Sequence, residues 1–514
     1  MYDVIIFTDL TESHSGNFPA PVKSLGAYQI ASVLRENGYK VKVVDYFIWL
    51  LENHTEELFK WTEDNIAGVK IIGFSTTFLS PFNVTNRHRK QRASLGVPIT
   101  KRDARPEIDK FFTLLDKWKK KQPMKILLGG QGVQTAPFIR IYSEIIDHWF
   151  RGLSEDILLK CLKGDKFPNQ KVIEDPLGNE IYDFHNSGLT FSKEDVIFSH
   201  EALPMEISRG CRFKCKFCSY PLIGRKPSPK WNRSEESIYN ELKFNYDNFG
   251  VTNYQFMDDT FNETLDKLKI VARAIERTKL DINFWAYTRL ELINAFPEQI
   301  SILRDMGQRA AFFGIESLHD PSAKAIGKGL GRERIIKILE RIKESWGSDS
   351  VLHGSFIIGL PYETPETARE WVEILRDREI ALDSCSFNAL TLATQNHGRG
   401  LPSHSKMWLS EFDINAEQYG YERGQGIYQW RNEHWDFKIC KKFAEDSMKE
   451  IKEYAVKFGK PLCHNYLPHI FPMMNLGFSR EEIHNITEDR NKWMTLVQER
   501  KIKHLNDYSE KVFV

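Results

Sequence analysis

The chain has 514 residues, 41% of them hydrophobic and 27% charged, with a formal net charge of +1. That length exceeds one ordinary core, so two or three domains are expected, and the balanced charge gives no electrostatic case for nucleic acid or an anionic membrane surface. No apolar run approaches a membrane span, and an odd total of seven cysteines without a signal-peptide pattern argues against a secreted disulfide framework, so a cytoplasmic protein is expected.

Residues 1–165 alternate apolar runs with amphipathic stretches. Strands are expected at Val4–Asp9, Lys40–Tyr46, Val69–Ser75 and Met124–Gly130, with a helix over Ser24–Tyr39 closed near Gly38. His148–Leu162 reads as a strand end, a turn and a helix. Such βα alternation implies a Rossmann-like, flavodoxin-like parallel sheet whose ligands sit at the carboxyl ends of its strands. No G-x-G-x-x-G follows the first strand, which disfavours a dinucleotide. Arg87–Arg105 carries seven Lys/Arg and one Asp, a run most simply read as solvated surface. Residues 166–199, scattered with Pro, Gly, Asn and Asp, read as a linker.

From Pro204 the alternation resumes at longer period. Strands are expected at Pro204–Ser208, Asn253–Met257, Ile282–Tyr287, Arg309–Ile315, Ser350–Ile358 and Asp383–Leu390. Ser234 is placed to cap the helix that ends before Gly250, and further helices fall at 264–279, 297–306, 331–345 and 365–378. Between the first strand and helix lies RGCRFKCKFCSY, with Cys211, Cys215 and Cys218 spaced C-x3-C-x2-C. A structural zinc site wants four N/S ligands, usually as two pairs, and no second pair exists. Cys161, Cys385, Cys440 and Cys463 are scattered singly. A four-iron cluster normally takes four thiolates, so three on one loop leave one iron open for chemistry.

This loop resembles that of the radical S-adenosylmethionine (radical SAM) superfamily. The resemblance implies a [4Fe-4S] cluster on Cys211, Cys215 and Cys218, with S-adenosylmethionine chelated to the open iron and cleaved to a 5′-deoxyadenosyl radical. It also implies a partial (β/α)6 barrel over 200–400 with its chemistry at the C-terminal strand ends. The strand ends carry the family's other marks. Met257, Asp258 and Asp259 stand where relatives bind the methionine ammonium, Arg289 where its carboxylate could be held, and Glu316 on the ribose hydroxyls. FIIGLPYET resembles the strand end whose backbone meets the adenine, which assigns Ile357 and Gly359. Ser355 and Tyr362 stand where relatives often have glycine. Tyr220 is a candidate for stacking near the cofactor, and Phe213 and Phe217 for shielding the cluster.

The first domain resembles the cobalamin-binding domain that precedes many radical SAM cores, through SLGAYQIASVLRENGYKVKVVD, IIGFSTT, ILLGGQ and FRGLSED. The family pattern places the cobalamin tail at Ser75, Thr76, Gly129 and Gly130. The Asp-x-His-x-x-Gly motif of other cobalamin proteins is absent, and His14 is not spaced to replace it.

Residues 401–514 match no motif. Trp435–Gly459 reads as a long amphipathic helix, and the region is expected to close the barrel or select substrate. The leading expectation is a cobalamin-dependent radical SAM methyltransferase. The alternative is a radical SAM enzyme that abstracts hydrogen for rearrangement, cyclisation or oxidation without using cobalamin. Either would act on a small-molecule or peptide substrate and take its electron from a partner such as flavodoxin or ferredoxin. An iron–sulfur electron carrier would not need the strand-end Asp258, Arg289 and Glu316.

Overall fold

The computed structural model describes residues 1–10, 21–76, 79, 105–130, 141–164, 171–175, 182–218, 224–226, 228–348, 350–392, 409–424, 428–457, 475–479, 482 and 490–514. His14, Tyr220, Cys463 and all of the basic run except Arg105 lie outside the described residues. The chain divides into two compact units.

The first unit comprises Met1–Ser199, Phe244–Gly250 and Leu496–Val514. Its strands are β1 (Val4–Thr8), β2 (Val41–Val44), β3 (Ile71–Ser75), β4 (Lys125–Gly129), β5 (His148–Gly152) and β6 (Val172–Asp175). They pair in parallel in the order β2-β1-β3-β4-β5-β6, with Val4 opposite both Val41 and Ile71. Strand β1 has neighbours on both sides, and all five of its residues are buried. That explains its unbroken apolar run, where a half-exposed strand would alternate. The strand order reverses around β1, so the switch point where such sheets bind ligands lies at the ends of β1 and β3. Phe7 anchors the core, with ring centroids 4.9, 5.4 and 5.1 Å from Phe47, Phe74 and Phe111. Helices at Phe47–Asn53, Thr55–Asn65 and Pro106–Lys119 complete the layers.

Two boundaries differ from the sequence reading. Residues 166–199, expected as a linker, supply β6 and a strap whose Phe184, Leu189 and Phe191 are buried. Asp195 in that strap pairs with Arg35 at 2.7 Å, and the Val196 carbonyl accepts from Lys23 at 2.8 Å. The turn-forming residues are real, but short apolar anchors between them pin the segment down. The last helix, Arg490–Val512, places Leu505, Tyr508 and Val512 in the core of the first unit, away from any separate C-terminal region. Their 3–4 spacing forms a stripe that must be buried somewhere. The Tyr508 hydroxyl accepts from the Asp45 amide at 2.8 Å, and its ring lies 4.8 Å from the Lys23 ammonium, itself paired with Asp45 at 3.1 Å.

The second unit comprises His200–Lys243 and Val251–Thr495. Its strands are β7 (Ala202–Met205), β8 (Asn253–Phe256), β9 (Asn283–Thr288), β10 (Gln308–Glu316), β11 (Val351–Ile358) and β12 (Ser384–Ala389). All pair in parallel, each beside its sequence neighbour, in the order β12-β11-β10-β9-β8-β7. Parallel strands in that sequential order, joined by helices, are the arrangement of the expected partial (β/α)6 barrel. The connecting helices start on capping residues: Thr264 accepts from the Lys267 amide at 3.2 Å, and Thr364 forms a capping box with Thr367. Helix Phe437–Lys457 packs on β12 and β11 and covers the terminal strand. No helix among the described residues is long and apolar enough to cross a membrane.

Candidate active site

The cysteine loop leaves β7 and is fixed before its first thiol. The buried Asp258 carboxylate accepts from the Ile207 amide at 2.7 Å, the Ser208 amide at 3.1 Å and the Ser208 hydroxyl at 2.8 Å. Lys267, one turn into the next helix, pairs with the same carboxylate. Asp258 is therefore engaged in holding the loop, which differs from its expected place on the methionine ammonium. Glu263 makes a second clamp, accepting from the Arg212 amide at 2.9 Å and the Arg225 guanidinium at 2.8 Å.

Donors then reach the Cys211 and Cys215 thiols. Cys211 is buried; its sulfur accepts from the Phe213 amide at 3.4 Å and lies 3.2 Å from the Thr260 hydroxyl. Burial pushes the Cys211 thiol up, opposed by those two hydrogen bonds. Cys215 accepts from Arg289 at 3.3 Å, and a turn returns the Cys218 amide to the Cys215 carbonyl at 3.0 Å. Arg289 also reaches Glu291 at 3.2 Å and the Gly327 carbonyl at 3.3 Å, with its guanidinium 4.0 Å over the Phe213 ring. Phe213 thus stacks beneath Arg289, a more specific role than shielding.

The donor set fits an iron–sulfur cluster. Soft thiolates ringed by N–H and guanidinium donors are what such clusters use. The Arg289 Nε is buried with no partner among the described residues, an orphaned donor beside the thiols that a bound acceptor would satisfy. Among the described residues no three His, Cys, Asp or Glu side chains gather as a single-ion site. Three thiolates on separate irons do not require that convergence.

Above the loop, strand ends bring the other expected residues together. The Met257 amide donates to the Met205 carbonyl at 2.9 Å, which sets the β7–β8 ends. Asp259 is reached by solvent but enclosed by protein; burial, then the carboxylates of Glu206 and Asp258, push its pKa to about 7. Glu316 sits past a bulge in β10 at φ 69°, a conformation costly for any residue but glycine. Gly314 makes this possible, because a Cβ there would lie 2.5 Å from the Glu316 carboxylate. Burial raises Glu316 to about 7 against the pull of Lys328, whose ammonium donates to the Gly314 carbonyl at 2.6 Å.

At the β11 end the outcome is mixed. Ile357 is half-buried. Gly359, at φ 90°, leaves no room for a side chain, since a Cβ would lie 2.5 Å from the Cys440 sulfur. Its amide donates to Glu363 at 2.7 Å and its carbonyl accepts from Tyr421 at 2.7 Å, so both polar groups serve the fold. Ser355 is buried, and Tyr362, 69% exposed, adopts the left-handed φ of 65° that glycine would take freely.

In the first unit, the ends of β3 and β4 are stitched together. The Thr76 amide and hydroxyl both donate to the Gly129 carbonyl, at 2.7 and 2.8 Å, and the Ser75 hydroxyl lies 3.4 Å from that of Ser24. Gly130 takes φ 91°, and a Cβ at Gly129 would meet nothing within 4 Å. Small residues beside open space fit the bulky tail of a cobalamin.

Lys267, Glu263, Arg225 and Lys328 escaped the sequence reading. Their partners lie on the cysteine loop, at the β8 end or on β10, and only the closeness in sequence of Glu263 and Lys267 to Asp258 hinted at them.

Residues 205–375 match the family model of the Radical SAM superfamily. The chain carries a radical SAM domain. Over 223 residues it is 31% identical to an uncharacterised methyltransferase of Pyrococcus horikoshii, covering 40% of this chain and 46% of that protein. Over 196 residues it is 26% identical to the ribosomal protein uS12 methylthiotransferase RimO of Petrotoga mobilis, covering 35% and 41%. The matches thus span less than half of either curated relative. Among solved structures, the methyltransferase TsrM of Kitasatospora setae, with cobalamin and a [4Fe-4S] cluster bound, aligns over 99% of this chain and 100% of its own. The TM-score is 0.58 at 14% identity. The cobalamin-dependent radical SAM enzyme OxsB aligns over 98% and 72%, with a TM-score of 0.57 at 14% identity. At such identities the likeness shows a shared fold.

Proposed function

We propose that this protein is a cobalamin-dependent radical SAM methyltransferase. The observation that carries the reading is a cysteine loop whose Cys215 thiol accepts from Arg289, with two carboxyls of raised pKa at the ends of β8 and β10. The fold shared with TsrM and OxsB over nearly the whole chain supports the cobalamin part. When bound, the cluster supplies the electron that cleaves S-adenosylmethionine, and cobalamin supplies a transferable methyl group.

The chain's own residues hold and orient. Cys211, Cys215 and Cys218 bind iron, while Asp258, Lys267 and Glu263 fix the loop that presents them. Arg289 offsets negative charge beside Cys215 and restrains Phe213. Asp259 accepts from the methionine ammonium, with Met257 setting the backbone beside it. Glu316 accepts from ribose hydroxyls, its charge supported by Lys328, and Ile357 offers an apolar surface to the adenine. In the first unit, Ser75, Thr76, Gly129 and Gly130 cradle the cobalamin tail. The substrate is a small molecule or peptide, and the electron comes from a flavodoxin or ferredoxin.

A second reading, hydrogen abstraction without cobalamin, is favoured by one observation: the Ser75 and Thr76 hydroxyls already engage Ser24 and Gly129. Anaerobic reconstitution followed by an optical spectrum separates the two. The methyltransferase reading expects corrin absorption that stays with the protein through desalting and is lost in Gly129→Trp. Iron without retained corrin would support the second reading.

A further inference from the structure

Below the cofactor layer the barrel lumen has a composition of its own. Counting back in twos from Arg289 along β9 gives Tyr287 and Trp285 on the same face. Trp285 and Tyr287 lie 5.0 Å apart, Tyr287 meets Phe312 of β10 at 5.0 Å, and Phe312 meets His353 of β11 at 4.7 Å. One continuous row therefore crosses three strands. His353 ends it, held between the hydroxyls of Ser384 at 2.8 Å and Ser386 at 3.0 Å on β12.

Three features make this row a wall with room in front of it. Tyr287 and Phe312 remain half-buried although strands flank both sides of β9 and β10, so the lumen beside them is not filled. Trp285 is only 5% exposed, and its Nε1 has no acceptor among the described residues. A buried indole N–H almost always finds a partner, so a ligand acceptor would complete it. On β8–β12, the residues sharing this face below Asp259, Arg289 and Glu316 include no Asp, Glu, Lys or Arg. An unpaired charge would be poorly tolerated there.

We propose that this lumen is the substrate subsite for an uncharged planar ring, aromatic or heteroaromatic, with a hydrogen-bond acceptor on its edge. The ring lies against Tyr287 and Phe312, and the hydroxyl-bearing β12 side faces it across the lumen. The purpose of the subsite rests on the proposed function; its binding does not.

The test uses full-length, anaerobically reconstituted protein labelled with 5-fluorotryptophan and followed by fluorine NMR. The Trp285 resonance is assigned by its loss in Trp285→Phe. Quinoline, planar and uncharged with an acceptor nitrogen on its edge, should move that resonance saturably, while benzylammonium and non-planar cyclohexanol should not. Ser386→Phe, which fills the lumen, should weaken quinoline binding by about tenfold or more while keeping wild-type iron content. An immobile Trp285 resonance, an equal response to benzylammonium, or unchanged affinity in Ser386→Phe overturns the subsite. The readout needs no turnover. A preparation that binds quinoline as expected yet fails to cleave S-adenosylmethionine counts against the proposed function and upholds the subsite; one that cleaves it but ignores quinoline overturns the subsite alone.

Discussion

Asp259 and Glu316 stand at the ends of β8 and β10, on either side of β9, with carboxyls held near pKa 7, each raised chiefly by desolvation within the protein. Both are therefore part-neutral at physiological pH before any ligand arrives. An ammonium placed beside Asp259 favours its ionised form, so binding should release protons, and affinity should rise as pH passes upward through about 7. Below that point the carboxyl is neutral and the cation loses its counter-charge. We expect calorimetry to show tighter S-adenosylmethionine binding at pH 8 than at pH 6 in the wild type. Asp259→Asn should weaken binding at pH 8 by about tenfold to a hundredfold, the equivalent of ~1.5–3 kcal/mol, and flatten the pH dependence. Unaltered affinity in Asp259→Asn would remove it from the site. These two carboxyls were legible in the sequence because each ends an apolar strand run. Their counter-charges were not: Lys328 reaches Glu316 across a loop, and nothing in its local sequence marks it.

The cysteine loop as an element depends on one buried ion pair. Asp258 and Lys267 are both almost fully shielded, and the carboxylate also ties down two backbone amides and a hydroxyl. Removing one partner of such a pair costs about 3–5 kcal/mol because the other is left buried and uncompensated. Asp258→Asn should therefore lower the melting temperature and reduce iron uptake on reconstitution to less than half. Asp258→Leu combined with Lys267→Met should recover melting temperature more than iron, since the loop's amides stay untethered. Normal iron loading in Asp258→Asn would show that the loop orders without its tether. The sequence placed Asp258 at the right strand end but on the wrong partner. An acidic pair gives no local signal for which member faces inward to the backbone. The strands themselves were well marked: all six of the barrel follow from apolar runs between capped helices. Strand β6 was hidden because it is four residues long and set among turn-forming residues.

At the scale of the whole molecule, the chain's last helix completes its first unit. Tyr508 closes the core at Asp45 and Lys23, contacts separated by more than 460 residues that no local pattern could reveal. Tyr508→Ala should cost about 3–5 kcal/mol of stability in chemical denaturation, as large aromatic truncations in cores do. An effect below about 1 kcal/mol would mean that the helix merely rests on the surface. The proposed chemistry lies in the second unit and rests on its three loop cysteines. The direct measurement is reductive cleavage of S-adenosylmethionine by the reconstituted protein, scored as 5′-deoxyadenosine and methionine by mass spectrometry, alongside bound iron. The account predicts both products from wild-type protein and from Cys440→Ala/Cys463→Ala, each with the iron of one four-iron cluster. It predicts neither product nor cluster when Cys211, Cys215 and Cys218 are all changed to alanine. Product formation by that triple variant, or loss of iron in the Cys440/Cys463 variant, would contradict it.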